Sequence, residues 1–219
     1  MHPGQITFFE YKSSQFGKAL LATSNGDLKD IFLWDIYGRD SPGLLDDTVA
    51  HAPDMSLNVP KNYEVENMRW ANTDYKLYAT MKNENVDDDC ILTIYDVPEG
   101  NHTTQKLNSQ SDDVTRASKI KKNNKIQFNP SHTQKLPINI SYFGLNDSNK
   151  NIIYGSNATK KFSIDIRDPK SITYFIDDAK DNKPEDKEDS MVEYNQNNYI
   201  TFANCLQKTI EIYDIRQVS

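Results

Sequence analysis

A four-fold repeat is the feature of this sequence that most restricts how the chain can fold. Each repeat has an apolar run that ends in small residues, a polar connection, and a second apolar run. The second run closes on an aromatic or aliphatic residue followed by aspartate. The closing pairs are Trp34-Asp35, Tyr95-Asp96, Ile164-Asp165 and Tyr213-Asp214. Two apolar runs joined by a polar link predict a β-hairpin, so the sequence predicts four hairpins.

Further apolar runs flank the hairpins. A run precedes each of them, beginning at Ile6, Val65, Ile138 and Ser190. A following run is clearest in SITYFI from Ser171, with TTQKL from Thr103 and GLL from Gly43 as weaker candidates. Each unit is therefore expected to be an up-and-down sheet of about four strands. The sequence predicts an all-β chain that forms one domain over residues 1–219, with sheets at about 6–60, 63–135, 138–178 and 189–219.

The repeats are unequally spaced because polar segments separate them. From Asp35 to Asp96, from Asp96 to Asp165 and from Asp165 to Asp214 are 61, 69 and 49 residues. A compact propeller blade takes about 40–45 residues, so the two longer spacings need insertions. The segments 40–62, 108–125 and 177–190 are polar, acidic or proline-containing, which predicts surface loops.

The hairpins ATSNGDLKDIFLWDI and ANCLQKTIEIYDIR resemble those of WD40 repeats, and the resemblance extends from about Ile6 to Arg216. It implies a WD40-like β-propeller in which each sheet is a blade. The Gly-His pair that usually opens such a repeat is missing from all four units, and Trp precedes Asp only in the first. The Asp–His–Ser–Trp hydrogen-bond tetrad of the family therefore cannot form, and we expect stability to come mainly from packing between sheets.

Four units predict an incomplete propeller. Propellers typically have about four to eight blades, and the resemblance to WD40 proteins implies a ring of seven most often. An open array of four would expose unpaired strand edges. Three explanations remain open from the sequence. The chain is a piece of a longer protein, or strands from a partner complete it, or KIQF (Lys125–Phe128) opens a degenerate further unit.

The sequence offers no catalytic, cofactor or metal site, so we expect a protein that is not an enzyme and uses no cofactor. The four histidines lack metal-ligand spacing and are interpreted as solvated loop residues: His2, His51, His102 and His132. The run DDDC (Asp87–Cys90) lacks the ligands of a Ca²⁺ loop and is interpreted as an acidic turn. No glycine-rich phosphate-binding loop is present.

Charge and cysteine content restrict the location and the partners. The formal net charge of −7 argues against direct binding to nucleic acid, and the basic segment Arg116–Lys125 is interpreted as a charged loop. No apolar stretch approaches the ~20 residues that span a bilayer, and no signal peptide is recognised, so we expect no membrane contact. Cys90 and Cys205 are expected to be reduced thiols, which suits an intracellular protein of the cytoplasm or nucleus.

Arg167 and Arg216 are the residues predicted to bind a partner. Each follows a closing aspartate as Asp-x-Arg, in the third and fourth units. Paired ends of this kind resemble those of WD40 substrate receptors that dock on cullin–RING ubiquitin ligase adaptors. Arginine suits this role as a planar, bidentate donor. The alternative is that each arginine pairs with a nearby loop carboxylate such as Asp168.

The function expected from these observations is a non-enzymatic protein-interaction scaffold, a WD40-like subunit of a larger multiprotein complex. Its partners would be other proteins, one of which could donate strands at the open propeller edge, and no small-molecule substrate is expected. Two alternatives remain open. One is a substrate receptor of a cullin–RING ubiquitin ligase that docks through the paired Asp-x-Arg motifs. The other is a histone- or chromatin-binding propeller, for which an acidic surface is suitable.

Overall fold

The computed structural model describes residues 6–10, 19–24, 29–35, 55–71, 74–97, 126–146, 149–157, 160–177, 191–195, 199–204 and 208–216. Every helix or strand found within these ranges is a β-strand. The strands are β1 (Ile6–Glu10), β2 (Ala19–Ser24), β3 (Asp30–Asp35), β4 (Met55–Asn58), β5 (Tyr63–Trp70), β6 (Lys76–Asn83), β7 (Cys90–Asp96), β8 (Ile126–Phe128), β9 (His132–Leu136), β10 (Tyr142–Leu145), β11 (Ile152–Ser156), β12 (Lys160–Asp165), β13 (Asp168–Asp177), β14 (Met191–Asn195), β15 (Tyr199–Asn204) and β16 (Thr209–Asp214). The predicted all-β class is confirmed.

The strands form four sheets, which we number in chain order. Sheet 1 has the order β1-β2-β3-β4-β8, and sheet 2 has the order β5-β6-β7-β9. Sheet 3 runs β10-β11-β12-β13, and sheet 4 runs β14-β15-β16. Neighbouring strands are antiparallel except β4 and β8, which pair in parallel. No sheet of the described residues closes into a barrel.

The four predicted hairpins are present, and the closing pairs occupy the predicted place. Each closing aspartate is the last residue of the third strand of its sheet, in β3, β7, β12 and β16. The preceding runs from Ile6, Val65 and Ser190 also fall in strands. The run from Ile138 starts its strand later, at Tyr142, because Pro137 and the next four residues form the connection from β9.

The fourth strands are where the sequence was least informative. SITYFI lies within β13 as predicted, but the fourth strands of sheets 1 and 2 are Met55–Asn58 and His132–Leu136. The two weaker candidates, from Thr103 and Gly43, lie outside the described residues. KIQF does not open a further unit, because Ile126–Phe128 joins sheet 1 beside β4.

The sheets stack face to face in chain order, and a separate apolar cluster fills each of the three spaces between them. Between sheets 1 and 2 the fully buried side chains include Leu33, Leu57, Leu77 and Tyr95. Between sheets 2 and 3 they include Leu92, Phe143, Ile153 and Phe162. The smallest cluster, between sheets 3 and 4, contains Tyr154, Ile200 and Phe202.

The closing pairs contribute to this stacking in a regular way. The residue before the aspartate packs toward the preceding sheet at Tyr95, Ile164 and Tyr213. The Tyr95 hydroxyl also donates to the Asn58 carbonyl of sheet 1 at 2.7 Å. Trp34, the equivalent residue of sheet 1, does not pack toward another described sheet. It is half-buried on the face of sheet 1 that points away from sheet 2, and its indole N–H donates to Thr23 Oγ1 at 3.0 Å.

The first strands of successive sheets lie next to one another. β1 contacts β5, β5 contacts β10, and β10 contacts β14. The Asn67 side-chain amide of β5 donates to the Ser141 carbonyl at 3.1 Å, just before β10. The sheets are therefore aligned along the stack, with the first strand of each sheet on the same side.

Replacing Gly155 with alanine is expected to lower the free energy of unfolding by about 1–3 kcal/mol, the usual cost of overpacking a core. A Cβ at Gly155 would lie 2.6 Å from Phe162 Cε2 and 3.2 Å from Ile140 Cγ2. Urea unfolding measures the change, with Ser163→Ala on the opposite face of sheet 3 as control. Equal midpoints for Gly155→Ala and the wild type would contradict the tight approach of β11 to the Phe162 ring.

Candidate functional site

The two predicted partner-binding arginines end equivalent turns of sheets 3 and 4. The Asp165 carboxylate caps the turn after β12, where Oδ1 accepts from the backbone N–H of Arg167 at 2.9 Å. The guanidinium then folds back onto the same carboxylate, with Nε 2.9 Å from Oδ1 and Nη2 2.5 Å from Oδ2. We call this arrangement, in which one carboxylate holds a backbone N–H and a guanidinium fork, the Asp-x-Arg clip.

The second clip has the same geometry. Asp214 Oδ1 accepts from the Arg216 backbone N–H at 3.1 Å and from Nε at 2.8 Å. Nη2 lies 2.5 Å from Oδ2. The arginine side chains remain 65% and 62% exposed, so each clip holds a guanidinium at the surface. The alternative raised from the sequence was that each arginine pairs with a nearby loop carboxylate such as Asp168. Each arginine pairs instead with the aspartate of its own motif.

These contacts change the acidity of the groups involved. Hydrogen bonds from the Arg167 side chain and backbone lower the pKa of Asp165 to about 2. The Arg216 guanidinium likewise lowers the pKa of Asp214. The pKa values of both arginines are raised by the same hydrogen bonds, so both clips are fully ionised at neutral pH.

No protein-family model matches the chain, and no curated protein is significantly similar to it in sequence.

A second polar cluster ties together the four strands of sheet 2. Asp89 lies immediately before β7 and accepts from the Tyr63 hydroxyl at 2.7 Å and from Asn83 Nδ2 at 2.9 Å. Lys135 Nζ of β9 lies 2.8 Å from its Oδ1. One carboxylate therefore joins the start of β5, the end of β6 and the edge strand β9. We call these four residues the Asp89 cluster.

The sequence predicted an acidic turn at Asp87–Cys90, and a turn is present there between β6 and β7. The Asp89 cluster forms at the end of this turn. Hydrogen bonds from Lys135, Tyr63 and Asn83 lower the pKa of Asp89 to about 2. Sequence reasoning missed the cluster because Tyr63 and Lys135 are far apart along the chain. Pairing of strands brings them together, and no local pattern marks either residue.

Acid is expected to destabilise the fold between about pH 4 and pH 2. Asp89, Asp165 and Asp214 have lowered pKa values when folded, whereas an unfolded aspartate titrates near ~3.9. The unfolded chain therefore takes up protons first as the pH falls, so stability is complete above about pH 4 and declines toward the folded pKa values. Urea midpoints measured from pH 7 to pH 2 test this, with Asp89→Asn expected to give a shallower decline. A midpoint that stays constant below pH 4 would contradict it.

The other residues considered from the sequence do not assemble into a site within the described parts of the chain. His132 is exposed on β9, with Nε2 3.4 Å from Gln134 Oε1. Cys90 is a buried free thiol whose pKa is raised by burial to about 11. Among the described residues no group of three or more His, Cys, Asp or Glu side chains could hold a metal ion. His2, His51, His102, Cys205 and Arg116–Lys125 lie outside the described ranges.

Within the described residues, Pro169 of β13 is the only proline that lies in a strand. In the parts of the chain that are described, no helix has the length and apolar character needed to cross a bilayer.

Proposed function

We propose that this protein is a non-enzymatic interaction scaffold with a WD40-like β-propeller architecture, acting as one subunit of a larger multiprotein complex. The observation that carries the proposal is the stacking of four antiparallel sheets in chain order, with their first strands side by side. A propeller has this arrangement, because the first strand of each blade lies nearest the central axis. The equivalent positions of the four closing aspartates support the same reading.

A scaffold of this kind works by display. The stacked sheets hold the turns rigidly, and recognition is carried by the turns and loops between strands. Two kinds of charged surface are available for this purpose in the described residues. One is the pair of Asp-x-Arg clips, and the other is the acidic β6–β7 turn, where Glu84, Asp87 and Asp88 are exposed. The scaffold can therefore offer positive and negative groups to different protein partners.

The edge of sheet 4 is a second means of holding a partner. The third strands of the other sheets, β3, β7 and β12, each pair with a fourth strand. Its equivalent in sheet 4, β16, has no fourth strand beside it among the described residues. An extended segment of a partner could pair with β16 by adding a strand to the sheet. Strand donation, expected from the sequence, remains part of this proposal.

The proposal is tested by the size of the native assembly. We expect the full chain, tagged in the cells that make it, to elute on gel filtration well above its own mass of 25.2 kDa. The same co-purifying proteins should be present in fixed stoichiometry after two different affinity steps. A chain that elutes alone, or only with copies of itself, would contradict the scaffold function.

The second candidate function is that of a substrate receptor of a cullin–RING ubiquitin ligase, and the two matched clips favour it. In each clip the bonds to the aspartate carboxylate use Nε and Nη2 of a guanidinium that has five N–H groups in all. An acidic group on an adaptor can therefore approach an exposed guanidinium that is already held in a fixed orientation. Such preorganisation lowers the entropic cost of binding.

Replacing Arg167 and Arg216 together with alanine is expected to abolish adaptor pulldown if this second function is correct, while circular dichroism stays unchanged. Lys76→Ala is the matched control. It removes an exposed cation that pairs at 3.4 Å with Asp96, the closing aspartate of sheet 2. Pulldown that persists in the double variant would eliminate docking through the clips and would leave the general scaffold function standing.

A further inference from the structure

Two positions of each repeat face the next sheet in the stack. They lie two and four residues before the closing aspartate. In sheet 1 they are Leu33 and Ile31, both 0% exposed and packed in the cluster shared with sheet 2. In sheet 2 they are Ile94 and Leu92, at 7% and 0% exposed in the cluster shared with sheet 3.

In sheet 3 the position four residues before the closing aspartate also meets the next sheet, but by a polar contact. Lys161 lies four residues before Asp165, and its ammonium pairs with Glu211 of sheet 4. In sheet 4 the two positions are Ile212 and Ile210, which are 65% and 70% exposed. The last sheet therefore presents two isoleucines where the first two sheets bury an aliphatic pair. We call this surface the open face of sheet 4.

A complementary surface exists at the other end of the stack. The positions one and three residues before the closing aspartate face the preceding sheet, as Tyr95 and Tyr213 do. In sheet 1 these positions hold Trp34 and Phe32, both half-buried. They lie on the side opposite the cluster shared with sheet 2, because Leu33 between them belongs to that cluster. We call this surface the outer face of sheet 1.

We propose that the open face of sheet 4 in one molecule packs against the outer face of sheet 1 in a second copy of the chain. In each of the three interfaces within the chain, the face that one sheet turns toward the next packs against the face that the next sheet turns back. The contact between copies would repeat this same pairing of faces. Two such contacts related by a two-fold axis join the eight described sheets of the two copies, a number within the usual range of about four to eight propeller blades.

The two carboxylates of strand β16, Glu211 and Asp214, do not oppose this contact. Glu211 points back toward sheet 3, where it accepts from the Tyr213 hydroxyl at 2.7 Å and pairs with Lys161. Asp214 is held by its own clip with Arg216. Burying Ile210 and Ile212 therefore leaves neither of these carboxylates without a partner. The inference goes beyond the proposed function, because a scaffold can bind other proteins as a monomer.

Light scattering coupled to gel filtration tests the self-association on the purified full chain. We expect a mass near twice 25.2 kDa for the wild type. The Ile210→Lys/Ile212→Lys variant is expected to be a monomer, because both substituted residues are largely exposed and the fold should persist. Val86→Lys, at an exposed turn of sheet 2 (53% exposed), is the matched control and should remain dimeric. A monomeric wild type, or a dimeric lysine variant, overturns the proposal.

Cysteine cross-linking tests which faces meet. In a Cys205→Ser background we expect a mixture of Ile212→Cys and Trp34→Cys chains to form a mixed disulfide in a glutathione redox buffer. Phe32→Cys replaces Trp34→Cys if circular dichroism shows that the tryptophan variant is unfolded. Cys90 is buried and serves as the internal unreactive thiol. Efficient cross-linking of Ile212→Cys chains with one another would show that two copies of sheet 4 meet, and would overturn the proposed order of faces.

Discussion

Replacing Phe162 with alanine is expected to lower the free energy of unfolding by about 3–5 kcal/mol, the range for removing a buried aromatic ring. Phe162 is 0% exposed at the centre of the cluster between sheets 2 and 3. Its ring lies over Gly155, which has no side chain to fill the space that alanine would leave. Tyr174 contacts the ring edge-on, with centroids 6.4 Å apart, and would lose that contact as well.

The size of this effect matters because single domains are stable by only about 5–15 kcal/mol. The measurement is urea unfolding followed by circular dichroism and tryptophan fluorescence. Ile210→Ala, 70% exposed, is the control and should change the stability by less than about 0.5 kcal/mol in dilute solution. A loss below 1 kcal/mol for Phe162→Ala would mean that sheets 2 and 3 do not pack through this ring.

Removing Lys161 is expected to cost about 3 kcal/mol, at the low end of the range for breaking a buried ion pair. The Lys161 side chain is 10% exposed, and its ammonium pairs with Glu211, which is 35% exposed. The same ammonium lies 5.6 Å from the Phe202 ring centroid. Burial opposes ionisation of Glu211, but hydrogen bonds from Lys161 and Tyr213 outweigh it and keep its pKa below the usual value.

Comparing the loss of one charge with the apolar replacement of both separates the ion pair from the packing. In Lys161→Ala, Glu211 loses its main counter-charge while remaining partly buried, so the loss should be large. In Lys161→Met/Glu211→Leu both charges are replaced by apolar groups, and the stability should be equal to or above that of the wild type. Lys76→Ala breaks an exposed pair with Asp96 and should cost less than about 1 kcal/mol. Equal losses for Lys161→Ala and Lys76→Ala would contradict a contribution from the intersheet pair.

The parts of the fold that repeat were predictable from the sequence. The closing pairs marked the end of every third strand, because an apolar residue that packs between sheets and an aspartate that caps the next turn are both local requirements. The Asp165 and Asp214 carboxylates bind the turn backbone as expected for that residue type. The partner-binding role of Arg167 and Arg216 stays a prediction, although both arginines are held in the same orientation.

The parts that were not predictable depend on contacts between distant residues. TTQKL, which begins at Thr103, and HTQKL, which begins at His132, differ only in their first residue. It is the second segment, His132–Leu136, that forms the edge of sheet 2. Local propensity cannot separate two such segments. Met55–Asn58 is only four residues long, too short to show a clear alternation among the polar residues around it. The Asp89 cluster and the Lys161–Glu211 pair likewise join residues from different strands or sheets.

The parallel strand β8 determines the order in which the molecule can assemble. The chain makes the first three strands of sheet 2, returns to sheet 1 with β8, and then completes sheet 2 with β9. Sheet 1 cannot be completed before residue 128 has been synthesised, and sheet 2 cannot be completed before residue 136. We therefore infer that sheets 1 and 2 form one cooperative folding unit with slow, long-range closure. Sheets 3 and 4 are each built from uninterrupted chain. Their amide protons are therefore expected to exchange independently of the slow, shared protection of the first two sheets.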